Sequence, residues 1–234
     1  MPEHPVHRVP PEAAHRGWVR WGEEEAARAL ATTAARLRAR RAARAVLGVM
    51  HAMATEGRTP VTALVDDPIP GVLKQYPEAA PMEGRGLFYY YHCHDARETP
   101  RGEHGHFHVF ARNPDGSHTH LVGVAVDDSG WPLRLFTTNR WVTDEALAPA
   151  PRVLALADQA ARLRQRDPLA RWLLSLLVLF RPQLGALLRQ RDARLRALRR
   201  GRSHDRLLED RRVRVLSQCR ISLPRQVAAL ERGA

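Results

Sequence analysis

Lysine occurs once in this chain, at Lys74, although 37 of its 234 residues are basic. Cysteine occurs twice, at Cys93 and Cys219. Two such distant cysteines make neither a disulfide framework nor a CxxC zinc motif, and they fit a reducing compartment. The N-terminal "MPEHPVHRVPPEAAHRGW" lacks the unbroken apolar stretch of a secretory signal. Residues 1–21 therefore read as a flexible tail, and the expected location is cytoplasmic. No apolar run reaches the roughly 20 residues that a bilayer core requires. "WLLSLLVLF" (172–180) is apolar all round but short, and it predicts a buried helix rather than a membrane span. Also missing are a Gly-rich phosphate loop, a GxSxG elbow, an HExxH pair and a dinucleotide fingerprint, so the commonest motif-bearing enzyme families are excluded.

What is present begins with charge, and it is unevenly spread. Residues 1–86 carry 12 basic and 10 acidic side chains, residues 87–148 carry 5 and 8, and residues 149–234 carry 20 and 7. The net +12 thus resides in the last third, where "RQRDARLRALRRGRSHDR" (189–206) is the densest stretch. Such a surface raises affinity for polyanions without specifying a function.

From Glu23 to about Glu56 there is no proline, and Leu30, Leu37, Val46, Leu47 and Met50 recur at helical spacing. This predicts one long amphipathic helix or two. Residues 58–86 are rich in proline and glycine and read as a loop, with at most a short strand near Val72–Tyr76. The period then changes to two. "GLFYYYHCH" (86–94), "EHGHFHVFAR" (103–112), "HTHLVGVAVD" (118–127) and "WPLRLFTT" (131–138) read as four strands joined by turns such as "NPDGS". Helical patterns return over 152–166 and 168–200, the latter split at Arg181-Pro182. "RVRVLSQCRISL" (212–223) suits a short strand or an extended segment, and 224–232 a last short helix. The fold class expected is α+β, a four-stranded antiparallel sheet at about 87–138 flanked by N- and C-terminal helices. Residues 22–150 form a helix-plus-sheet domain and 151–234 a basic helical region on the same core.

Five of the 12 histidines lie in one stretch, at His92, His94, His104, His106 and His108. Strand residues of one parity share a face. A register placing His92 opposite His106 gathers both clusters, and His108 then opposes Val122 with His120 on the diagonal. On this reading Val122, Val124 and Val126 continue the histidine face as an apolar wall. Converging imidazoles suit one transition-metal ion, whether zinc, iron, copper or nickel. His106 and His92 rank first as ligands. Glu103 is the expected acid–base carboxylate and Tyr90 a proton donor. Arg140, within "TTNRW" (137–141), is a candidate anion-binding group, although that stretch also fits a capped turn with Trp141 packed inward.

"YYYHCH", "EHGHFHVFAR" and "LFTTNRWVT" together resemble the segments of a bacterial family classed as a domain of unknown function. The resemblance covers roughly residues 70–150. It implies that those residues form one unit and brings no activity with it. The function expected is a metal-dependent enzyme acting on a small molecule at a histidine-lined sheet. The alternatives are a non-catalytic metal-binding or metal-sensing protein and a basic nucleic-acid-binding module.

Overall fold

The computed structural model describes residues 17–65, 75–81, 86–93, 102–199 and 201–232. Its elements run α1 (Glu23–Ala29), α2 (Thr33–Thr55), β1 (Gln75–Pro81), β2 (Leu87–Cys93), β3 (Gly105–Arg112), β4 (His118–Val126), β5 (Pro132–Thr138), α3 (Arg140–Thr143), α4 (Ala150–Ala160), α5 (Pro168–Leu179), α6 (Arg181–Leu198), α7 (His204–Leu208), β6 (Val215–Arg220) and α8 (Leu223–Arg232). The class is α+β, as expected. The strands form one antiparallel sheet in the order β1-β2-β3-β4-β5-β6. The sheet therefore has six strands rather than four, because β1 and β6 extend the expected meander at its two edges. β1 carries Pro77 and Pro81, which an edge position tolerates because one side of its ladder needs no donors.

Local chemistry sets the helix boundaries. Thr32 caps α2, its hydroxyl accepting from the Ala35 amide at 3.2 Å. Asp167 caps α5, accepting from the Leu169 and Ala170 amides at 3.2 and 2.9 Å, with Pro168 in the first turn. α5 ends at Phe180, and Arg181-Pro182 opens α6 with a 75° bend between the two axes. Among the described residues no single helix is long and apolar enough to cross a membrane. The apolar 172–180 segment is spent on the core instead: Trp172, Leu173 and Leu176 are fully buried.

One face of the sheet carries that core. Tyr89, Tyr91, Phe107, Val109, Val122, Val124 and Leu135 pack with α2, α4, α5 and α6 in one cluster, which reaches Leu230 in α8. Phe107 meets Trp172 edge-on at 5.5 Å between centroids. β2 shows the alternation plainly: Leu87, Tyr89, Tyr91 and Cys93 are buried, while Phe88, Tyr90 and His92 are half-buried on the opposite face. That second face holds the candidate chemistry.

Candidate functional site

The β2–β3 register sets His92 opposite His106, Tyr90 opposite His108 and Phe88 opposite Phe110. His92, His106 and His108 therefore share one face, with ring centroids 5.5, 6.0 and 4.7 Å apart for the pairs 92/106, 92/108 and 106/108. His92 and His106 are half-buried, whereas His108 is 1% exposed.

The β3–β4 register departs from the expected one. Val109 faces Val122 and Phe110 faces His120, so Leu121 is an extra residue on β4. Such a bulge changes which side chains share a face. His118 and His120 stay with the histidines, but Val122, Val124 and Val126 turn into the helix-covered core. His108 consequently opposes Gly123 rather than Val122. The apolar wall expected from the valines is supplied instead by Phe136 of β5, whose ring stands 5.2 Å from His106 and 5.6 Å from His108. Gly123 makes room for it, since a β-carbon there would run into the Phe136 ring. Gly123→Ala is accordingly expected to cost about 1–3 kcal/mol in urea unfolding, the range for overpacking. Adding Phe136→Leu should recover part of that loss, and strict additivity of the two changes would refute the contact.

Behind His108 lies a polar relay. His108 Nδ1 and His120 Nε2 share a hydrogen bond of 2.9 Å, and His120 Nδ1 is 3.4 Å from the Thr138 hydroxyl and 4.0 Å from Glu145 Oε1. Glu145 also accepts from the His120 backbone amide at 3.1 Å. Nearby, His118 Nε2 donates to the Thr143 carbonyl at 2.8 Å, which ties the 143–146 segment to β4. His120 and Glu145 are 2% and 3% exposed. Burial drives the Glu145 carboxyl up to about 7, against the pull of the Arg191 charge and the His120 amide. Burial drives the His120 imidazole down to about 3, and the Arg191 charge acts in the same direction. Tyr90 rises to about 12, from burial first and the Glu145 charge second, so it keeps its proton at neutral pH.

These two shifts have opposite linkage. Glu145 binds its proton more tightly in the folded protein, so its stabilising contribution is complete below about pH 4.5 and lost as pH rises through about 7. His120, with a lowered value, contributes above about pH 6.5 and loses that contribution as pH falls toward 3. Glu145→Gln removes only the first. The unfolding free energy of wild type minus that of the variant is expected to decline from pH 4.5 to 7 and then level. A difference constant across that range would sink the assignment.

The other expected site residues divide. His104 leaves the group: its Nδ1 pairs with the Tyr91 hydroxyl at 2.7 Å, and Tyr91 belongs to the helix-covered face. The cause is Gly105, over which the Tyr91 ring lies; a β-carbon there would strike that ring. Glu103 is held by Arg134 through two bonds of 2.7 Å, with Arg134 also donating to Gln218 at 3.0 Å and lying over Phe136. It supports the wall rather than facing the imidazoles. Arg140 turns outward to Glu209 and Asp205 at 2.9 and 3.4 Å. The "TTNRW" stretch is a capped corner: Asn139 accepts from the Arg140 amide and donates to the Leu207 carbonyl, and Trp141 donates to the Val213 carbonyl. His94 lies outside the described residues.

The basic C-terminal stretch is partly structural. Arg191 is 1% exposed and bonds Asp192 and the Ala148 carbonyl, while Arg194 donates to the carbonyls of Val215 and Leu216. Among the described residues, no three His, Cys, Asp or Glu side chains are arranged as a ready metal cage.

Residues 40–221 match the model of a family described as a domain of unknown function, DUF6969. That span takes in every strand and every residue of the imidazole cluster and its relay. No curated protein matches the chain, and no solved structure does.

Proposed function

The chain belongs to the DUF6969 family, and we propose that its histidine face is the transition-metal centre of a metal-dependent enzyme. His92, His106 and His108 would hold the ion. One observation carries the reading: three imidazole centroids on one face of the sheet stand 4.7–6.0 Å from one another. Imidazoles bound to one ion at about 2.1 Å place their centroids about 5–6 Å apart. Two of the three separations fall in that range and the His106–His108 pair lies just below it, so the rings would have to rotate about their side-chain bonds to bring their nitrogens onto one ion. His108 also has the environment of a ligand. Its Nδ1 is engaged by His120, which would fix the tautomer and direct metal binding to Nε2, as outer partners do at histidine sites.

A bound ion would supply Lewis acidity toward a polar substrate or water. The chain's own groups do the rest. Tyr90, 5.1 Å from both His92 and His108 between centroids, presents a protonated phenol as a proton donor. His120 stays neutral and holds His108 in place. Glu145, near half-protonated at neutral pH, sits behind His120 as the end of the relay. Phe136 shuts one flank against water. The substrate class is a small polar molecule reaching the half-buried edge formed by Tyr90, His92 and His106.

Purified full-length protein should contain about one equivalent of zinc, iron, copper or nickel by elemental analysis. Protein that is metal-free and takes up none of the four ions on titration would refute the centre. The burial of His108 and His120 favours a second reading, a closed metal-holding site without catalysis. Cobalt substitution separates them: azide should perturb the visible spectrum of an open site and leave that of a closed one unchanged.

A further inference from the structure

On the far side of the molecule, a groove of about 900 Å³ opens between α2, the end of α4 and α5. Its floor is apolar because short side chains meet there: Ala39 and Ala42 of α2 and Ala157 of α4 lie beside Leu174 and Leu177 of α5. Its rim carries Arg38, Arg41, Arg162, Arg164, Arg171 and Arg181, against one carboxylate among the described residues, that of Asp158. Arg181 grips Asp158 through two bonds of 2.6 and 2.8 Å. The charges of Arg162 and Arg38 act on the same carboxylate after that bond. Part of the rim is thus already organised around an acidic oxygen pair, with five positive charges in excess of the one acid.

The volume matches a small-molecule site, which is typically 300–1,000 Å³ with an apolar body and few polar anchors, and the lining departs from that pattern in the number of arginines around its apolar floor. The apolar floor excludes a ligand that is anionic throughout, such as a nucleic-acid backbone. The excess of guanidinium groups exceeds what a single monovalent head would neutralise, and planar Arg forks suit phosphate oxygens. We infer that this groove binds a single-chain amphiphile with a phosphate head, the alkyl chain on the alanine–leucine floor and the phosphate among the rim arginines. The site is independent of the histidine face.

The test is isothermal titration of full-length protein with dodecyl phosphate below its micellar concentration. Saturable one-to-one binding is expected, at least about tenfold tighter than that of dodecyl maltoside, which shares the chain, or of inorganic phosphate, which shares the head. Arg38→Glu with Arg162→Glu, both at exposed positions, should weaken binding about tenfold or more. Ala45→Phe, at a half-buried position on the groove wall, should do the same by filling the chain's place. Thermal melts matching wild type would show that both variants fold. Equal binding of the maltoside or of free phosphate would overturn the inference, and so would indifference to both variants. Capture of an acidic amphipathic peptide with no affinity for dodecyl phosphate would overturn it as well.

Discussion

Replacing His108 with alanine should lower bound metal by about tenfold or more, while His104→Ala should leave it within about twofold. The contrast follows from where the β2–β3 register and Gly105 place two histidines that look equivalent in sequence. His108 stands among His92, His106 and Tyr90, with its Nδ1 anchored by His120. His104 is paired with Tyr91 at the other face. At the proposed centre, removal of one of three ligands would leave a two-coordinate remnant unable to retain an ion that prefers four donors. His120→Gln touches no ligand position and should cost about 10–100-fold in affinity, the usual effect of losing an outer hydrogen-bonding partner. Because His108 is buried, its truncation also leaves a cavity. The half-buried His106→Ala provides the second variant, and a chelator competition assay reads both. Metal retained by His108→Ala and His106→Ala but lost by His104→Ala would sink the centre.

Glu103→Ala should destabilise the protein by about 3–5 kcal/mol, the cost of leaving a buried charge without its partner. The Arg134 and Glu103 side chains are 10% and 5% exposed, and their two bonds of 2.7 Å join the loop before β3 to β5. Without Glu103, Arg134 keeps, among the described residues, the Gln218 side chain and the face of Phe136. The double change Glu103→Leu with Arg134→Met should restore most of the loss, since apolar replacements of a buried pair are often neutral. Urea unfolding of the two singles and the double closes the cycle. A Glu103→Ala cost below about 0.5 kcal/mol would show that the pair behaves like a surface bridge.

Much of this architecture could be read from the chain. Period-two alternation at 87–138 identified four strands, whereas alternation alone left the β2–β3 register open; the favoured one, with His92 opposite His106, is the one the sheet adopts. The split at Arg181-Pro182 followed from where proline fits a helix. The outer strands were harder. β1 carries prolines that argue against a strand unless its edge position is known, and β6 lies nearly 80 residues from its partner β5 in sequence. Glu145 gave no signal either, because its contact with His120 depends on the fold of an irregular segment. His104 was misplaced because parity alone cannot register that Gly105 lets a tyrosine ring cross the strand. The valines of β4 were assigned to the wrong face because nothing in "HTHLVGVAV" marks Leu121 as the residue that breaks the alternation.

That extra residue on β4 makes the length of the strand a structural constraint in its own right. The strand serves two surfaces with two reading frames, imidazoles before Leu121 and core valines after it, joined at a single position. A substitution within either frame alters one side chain, but loss of one residue at the junction would exchange the clientele of both surfaces at once. Valines would face the relay, or histidines would enter the core. β4 should therefore accept changes of residue type far more readily than changes of length, a constraint usually associated with turns and here written into the middle of a strand.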